Sequence, residues 1–429
     1  MVQTFSVDWN GAVFLISGDG ISNSSFPTLS LYENNYYVFN NTSNDDISFS
    51  IGENDNSHYI KSDVWNNNAK SGEYVLFSPD SNTSRVLYYF NPDDNSSVGR
   101  INVYAHESEF IHPDLNIESF KFGQSVKIND WNQTIIGSTG QTGIDDGAVH
   151  IFNMESNGSY SYFQKIRPPT SNQGGHFGYS LSVDNSELLI GSPDVNFFSG
   201  FVHSYNRETN GSYNLKQDFT SFSLPGDSFG WDISVTNQFL AVSSRQANNS
   251  GSGKVSIFEH NGTEWLLNDI LFADDNQSDD EFGYSIQLLD TRLLVGAPFA
   301  DADANNSGAA YIFEQNASGW FQTAKLSPSG LSAGDEFGYS VALEGDLAFV
   351  GARQKDGASL RRDAGAVYVF KPNGLTWDEV AIIYPPEDSP DQYFSSDISI
   401  NQGILAVSSP SQEEGFAYLY RVGSDGGNI

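Results

Sequence analysis

The residues best spaced for chemistry in this chain are acidic. Asp301-x-Asp303-x-Asn305 can point three side-chain oxygens at one cation. Calcium collects about six to eight oxygen ligands, so a calcium site at Asp301, Asp303 and Asn305 is one expectation. Asp145 and Asp146 form a weaker version of it. The competing reading is a solvated loop, because the chain has 54 acidic against 20 basic side chains and a formal charge of −34. The seven histidines, His58, His106, His112, His150, His176, His203 and His260, are scattered. His150 and His203 fall at one place in neighbouring copies of a repeat, where later copies carry Ser256, Tyr311, Tyr368 and Tyr418. That equivalence reads as a packing position. No serine nucleophile motif, metal-ligand histidine pair or phosphate-cradling glycine loop stands out. No acidic pair rises above the acidic background, so no glycosidase dyad is nominated. The expectation is no catalytic residue and no certain cofactor.

One basic cluster breaks the acidic pattern. Arg353, Lys355, Arg361 and Arg362 place four of the 20 basic residues within ten positions. This is either a solvated loop or a cationic contact for an acidic partner, such as another copy of this chain, because charge complementarity orients such contacts.

These residues sit in a repeat. Phe-Gly or a variant recurs at 122, 177, 229, 282, 337 and 394, giving steps of 55, 52, 53, 55 and 57 residues. A fixed period of this size means stacked copies of one supersecondary unit. Each copy reads as a Phe-Gly start, an apolar run closing on Gly-Ala-Pro or a variant, a polar loop, then Gly-x-x-x-x-Phe/Tyr. In the fourth copy, segments at 284–288, 292–296, 309–313 and 320–326 have strand length and turn residues at their ends. A short turn joins the last two strands of five copies: Asn157-Gly158, Asn210-Gly211, Asn261-Gly262, Asn316-Ala317 and Asn373-Gly374. Asn-Gly tolerates the positive φ of a tight hairpin. Four strands per period arranged radially make an all-β propeller with six blades, or seven if the N-terminal region hides a degenerate copy. The last copy lacks a fourth strand, and the segment from Ser108 to Pro113 is expected to complete it.

The Phe-Gly…Gly-Ala-Pro pattern resembles the FG-GAP repeat family, known from the propeller heads of integrin α subunits. Phe282-Gly283-Tyr284-Ser285 with Val295-Gly296-Ala297-Pro298 fits best, followed by Phe337-Gly338-Tyr339-Ser340 with Val350-Gly351-Ala352. Ser243, Ser395 and Ser408 depart from it. The resemblance implies a propeller over 106–429. Integrin-type repeats often carry a calcium loop between their first two strands. Here that link is as short as Leu289-Asp290-Thr291-Arg292, which is more like the repeats of prokaryotic surface proteins.

Residues 1–105 lack the repeat and show short strand-like runs, which suggests a separate small β-sandwich. Their order resembles a cupredoxin. At the positions that would bind copper stand Asn91, Asp94, Ser97 and the neighbourhood of Asp45 and Asp46, and the chain has no Cys. Copper needs a thiolate and imidazoles, so the resemblance implies a domain without copper.

Composition limits the partners. A charge of −34 repels nucleic acid and anionic membranes. No run of eighteen apolar residues exists, so no membrane insertion is expected. Zero Cys excludes a disulfide framework. Asn-x-Ser/Thr occurs thirteen times, at Asn23, Asn40, Asn41, Asn82, Asn95, Asn132, Asn157, Asn210, Asn248, Asn261, Asn276, Asn305 and Asn316. That is about twice the chance number. It points to N-glycosylation and a secreted protein whose leader is not visible in this numbering. The expected function is a non-catalytic cell-surface scaffold or adhesion protein, self-assembling into a layer or filament, that contacts protein or glycan. The alternative is an extracellular carbohydrate-binding propeller or polysaccharide-active enzyme.

Overall fold

A computed structural model describes the N-terminal strands between residues 2 and 104 by their backbone, and residues 121–429 except 141–145, 156–158, 171–174, 185, 220–223, 248–249, 327, 329, 358–361, 375, 387–389, 411–414 and 424–429. The chain divides into two units, 1–111 with 155–160, and 112–154 with 161–429.

Among the described residues of the first unit, ten strands form two sheets. One has the order Ile21–Ser25, Phe14–Gly18, Val2–Trp9, Tyr36–Asn41, Tyr74–Phe77, Val64–Trp65. The other has the order Leu29–Tyr32, Val98–Tyr104, Val86–Phe90, Ser50–Gly52. Val2–Trp9 runs parallel to Tyr36–Asn41, and Leu29–Tyr32 parallel to Val98–Tyr104. Asn91, Asp94, Ser97, Asp45 and Asp46 lie outside the described residues.

The second unit is an all-β propeller of six blades. Five sheets have four strands in sequential order, and the sixth has three among the described residues, Ile398–Asn401, Ile404–Pro410 and Gly415–Arg421. The segment expected to complete it, 108–113, lies outside the described residues. The second and third strands of each blade are apolar runs because sheets cover both their faces. Ile135, Leu189, Leu240, Leu294 and Phe349 are all fully buried. Fourth strands lie at the rim and alternate, as in Trp265–Leu271 with Trp265 and Leu271 inside. A bulge recurs at one place between third and fourth strands, at Ser204/Tyr205, Ile257/Phe258, Ile312/Phe313 and Val369/Phe370. Bulges add the twist that a blade needs.

Neighbouring blades clasp through the repeat's own motif. The Phe of Phe-Gly is buried in five copies, Phe177, Phe229, Phe282, Phe337 and Phe394. It meets the third-strand ring: Phe177–His203 at 5.8 Å, Phe282–Tyr311 at 5.5 Å, Phe337–Tyr368 at 5.4 Å and Phe394–Tyr418 at 5.7 Å. Phe122–His150 follows at 5.6 Å, so the two histidines do occupy a packing position.

The glycines let backbones touch. A Cβ on Gly296 would lie 1.9 Å from the carbonyl oxygen of Gly338 in the next blade. The same approach joins Gly137 to Gly178 and Gly191 to Gly230. Where one partner is serine, the other remains glycine: Ser243 faces Gly283, and Gly351 faces Ser395. The copies with Ser243 and Ser395 therefore keep the contact. Serine hydroxyls reinforce it: Ser125 Oγ donates to Gly178 O (2.7 Å), Ser180 Oγ to Gly230 O (2.8 Å) and Ser340 Oγ to Ser395 O (2.6 Å).

Fourth-strand aromatics make a second set of contacts. Tyr213 Oη accepts from Asn129 Nδ2 at 2.9 Å, and Trp265 Nε1 donates to Glu187 Oε1 at 2.9 Å. Trp320 packs on Phe239 at 5.2 Å, and the Arg292 guanidinium sits 5.1 Å from the Trp377 ring.

Gly296→Ala should therefore cost about 3 kcal/mol in urea unfolding, since the atom struck is backbone and cannot rotate away. Ser243→Ala, at the equivalent place, should cost only about 1 kcal/mol. It loses the bond from the Asp232 N–H to Ser243 Oγ (2.9 Å) but adds no atom. Equal losses would refute the steric account.

Candidate functional site

The first strands of the six blades surround one axial cavity of about 580 Å³, with Ile128, Val183, Ile233, Ile286, Val341 and Ile398 in its wall. In blades two to five, the residue after Phe-Gly is aromatic: Tyr179, Trp231, Tyr284 and Tyr339. These half-buried rings stand side by side, at 4.6 Å for Tyr179–Trp231, 5.6 Å for Trp231–Tyr284 and 4.7 Å for Tyr284–Tyr339. Trp231 Nε1 donates to Tyr284 O at 3.0 Å. Asp232 and Ser285, next in sequence to Trp231 and Tyr284, line the cavity, so the arc borders it. Gln124 and Ser396 stand at the same place in blades one and six and end the arc.

Two arginines cover the rings. Arg245 lies 3.6 Å from the Trp231 centroid and Arg353 lies 3.8 Å from the Tyr339 centroid. Such contacts contribute about 0.5–2 kcal/mol as desolvation increases. Each guanidinium is also paired, Arg245 with Glu281 and Arg353 with Glu336, both at 2.5 Å. Burial pushes the Glu281 carboxyl above its usual range, against the pull of Arg245. Burial likewise raises the Tyr179 and Tyr284 hydroxyls, which stay neutral donors. The arc was missed in the sequence, although an aromatic recurring after Phe-Gly in four consecutive copies was the available signal.

The structure separates the basic cluster. Arg353 belongs to the arc, and Lys355 Nζ pairs with the buried Asp335 carboxylate at 3.0 Å. Arg362 bonds Asp391 at 2.8 Å with its side chain 75% exposed, and Arg361 lies outside the described residues. Three of the four cations, Arg353, Lys355 and Arg362, thus have carboxylate partners within the chain, and of these Arg362 is the one left largely exposed.

At the expected calcium loop, Asp301 Oδ1 accepts the Asn306 N–H at 2.8 Å. Ser307 Oγ accepts the N–H groups of Asp303 and Ala304 at 3.1 Å. Asp301, Asp303 and Asn305 are exposed and form a self-capped turn. Among the described residues, no group of three or more His, Cys, Asp or Glu could hold a metal ion. Asp146 is half-buried, and Asp145 lies outside the described residues.

The sequon turns have a local mechanism. Asn210 Oδ1 accepts from the Ser212 N–H (2.9 Å) and hydroxyl (2.7 Å). Asn261 Oδ1 accepts from the Thr263 N–H (2.9 Å) and hydroxyl (2.8 Å). Asn316 Oδ1 accepts the Ser318 N–H at 2.7 Å. The Ser or Thr therefore has a structural use in these turns. Asn132, Asn210, Asn261, Asn305 and Asn316 are exposed and Asn276 is half-buried, while Asn23, Asn40, Asn41, Asn82, Asn95, Asn157 and Asn248 have no described side chain.

Between blades two and three lies a cavity of about 270 Å³ beside Glu187, Lys216, His260 and Trp265. The Glu187 carboxylate is occupied there by Ser204 Oγ, Lys216 Nζ and Trp265 Nε1. The axial cavity holds the more unusual acid. Asp232 accepts the N–H groups of Ile233 and Ile286, both at 2.8 Å. Burial still pushes its carboxyl up to about 6, with Asp397 adding to the rise and Lys127 opposing it. Asp397 is raised as well, chiefly by burial.

A folded-state pKa above the unfolded one stabilises the fold at low pH, and that share is lost as pH rises through the folded value. The stability of wild type relative to Asp232→Asn should therefore fall between about pH 4 and 6. Urea midpoints of the two proteins across that range check this, and a constant difference would refute it.

Residues 265–313 and 320–370 match the FG-GAP repeat family. Integrin alpha-PS5 of Drosophila melanogaster is 27% identical across 56% of this chain, and the chain spans 27% of that protein's length. A Lactobacillus plantarum crystal structure covers 81% of this chain and 91% of its own at 12% identity and a TM-score of 0.47. The β-propeller domain of the Trilobed protease from Pyrococcus furiosus covers 69% and 82% at 9% identity and a TM-score of 0.41. The chain carries FG-GAP repeats in a six-bladed β-propeller, with an integrin α among its relatives.

Proposed function

We propose that this chain is a non-catalytic, extracellular scaffold or adhesion protein that presents the loop face of its propeller to a protein partner. The arc of Tyr179, Trp231, Tyr284 and Tyr339 supports this reading most directly. It sets four rings and two arginines on one rigid surface. Aromatic residues and arginine are the side chains most enriched at binding hot spots. The integrin relative favours an adhesion role, and the charge of −34 favours solubility and a basic partner. The proposal extends to an N-terminal cupredoxin-like module over 1–105 without copper, N-glycosylation at the exposed Asn turns, and self-assembly into a layer or filament.

The second reading, a carbohydrate-binding or polysaccharide-active propeller, draws on the same arc, because ring faces stack on sugars as well as on side chains.

A glycan array and a turnover screen on extracellular polysaccharides, with wild type and Trp231→Ala, separate the two. The first reading expects neither specific sugar binding nor product. Sugar binding lost in Trp231→Ala would replace it with the second. Electron microscopy of native material should show layers or filaments, and intact mass before and after deglycosylation should differ. Chelation should leave the melting temperature unchanged, because hydrogen bonds within the chain already close the Asp301–Asn305 loop.

A further inference from the structure

Corresponding loops of blades two to five can be superimposed by their backbone hydrogen bonds. The loop before the third strand sends three carbonyls to the segment that opens the next blade. In blade three the acceptors are Ser250, Gly251 and Ser252, in blade four Asn305, Asn306 and Ser307, and in blade five Arg362, Asp363 and Ala364. In blade two they are Phe197, Phe198 and Ser199, which bond Gly226, Ser228 and Phe229 at 3.1, 2.7 and 2.9 Å. The middle position is left-handed in every case. Gly251 (φ 67°), Asn306 (φ 52°) and Asp363 (φ 52°) are residue types that tolerate this region, but Phe198 (φ 62°) is not. Phe197 (φ 59°) and Asn196 (φ 50°) extend the left-handed run.

The two rings gain little from burial in return. Phe197 is 87% exposed and Phe198 56%, and Leu224, across from them, is 58% exposed. Blade two thus places a bulky apolar pair where its sister blades place small or polar residues, at a conformational cost and without packing. A local rule broken without gain to the fold is expected at a functional site. The turn also continues from the arc. Asp194, one residue before Val195, bonds His176, which is three residues before Tyr179.

We propose that Phe197 and Phe198 are the anchor by which this face binds a protein partner through an apolar cleft rimmed by Lys and Arg. This rests on the protein-binding reading above and names its anchor. Charge selects the occupant: a chain at −34 repels anionic lipid and steers basic surfaces inward. Exposed apolar side chains then supply the short-range energy.

The test uses the full chain, immobilised in about 0.15 M salt, and a phage-displayed random peptide library as probe. Enriched peptides should combine aromatic or aliphatic residues with Lys or Arg, and should bind Phe197→Ser at least about tenfold more weakly. Peptides that bind Phe197→Ser normally but lose binding to Trp231→Ala would overturn the anchor while leaving the protein-binding face intact. Failure to enrich any such peptide overturns both. Binding to phosphatidylcholine vesicles, or a concentration-dependent dimer in sedimentation, that is lost in Phe197→Ser would assign the pair to another occupant and overturn the proposal. Phe198→Gly supplies a readout that needs no partner. Relief of the left-handed strain should raise the melting temperature by about 1–3 °C. A fall would make Phe198 a structural residue and sink the idea.

Discussion

Backbone approaching backbone between adjacent blades is the constraint on which this propeller depends. A Cβ on Gly296 would stand 1.9 Å from Gly338 O, so the two glycine motifs of the repeat are two halves of one contact. The rest of the interface follows from that approach. It seats the Phe of Phe-Gly against the third strand of its own blade and brings serine hydroxyls within reach of the next blade's carbonyls. It also explains the pattern of drift. Ser243 and Ser395 sit at different interfaces, each facing a glycine, so no interface described has lost both.

The aromatic arc is a by-product of the same contact. The residue after Phe-Gly is carried to the border of the axial cavity, and the inter-blade spacing sets the distance between successive rings. Four neighbouring blades with an aromatic there give an arc, and Arg245 and Arg353 cover it because their glutamate partners lie one residue before Phe-Gly. The disc thus offers rigid aromatic and cationic groups whose positions are fixed before any partner arrives, which lowers the ordering cost of binding.

Charged groups divide by position. Asp227 and Asp335 are buried with lysine partners, and they accept backbone N–H groups three residues earlier in their turns. Among the described residues Asp232 has no such ion pair at bonding distance; it accepts two backbone N–H groups, and burial displaces its carboxyl upward. Among the described residues, most of the remaining acidity is exposed or half-buried, where it bears on solubility more than on the fold.

The period, the four strands per copy, the Asn turns and the burial of the Phe-Gly aromatics were all legible in the amino-acid order, because each depends on local spacing or turn chemistry. The equivalence of His150 and His203 with later tyrosines was legible for the same reason. What pairs with what was not. The basic cluster at 353–362 looked free because its partners Glu336, Asp335 and Asp391 come from other turns that the fold brings alongside. Asp301-x-Asp303-x-Asn305 had the spacing of a cation loop, and only the fold shows that Asp301 Oδ1 already accepts the Asn306 N–H while all three side chains stay exposed. Phe197 and Phe198 read as ordinary apolar residues until the hydrogen-bond register matched them to Gly251, Asn306 and Asp363 in other blades. Spacing along the chain determined the repeating unit; only tertiary contact decided which side chains were satisfied within the molecule and which were left facing out.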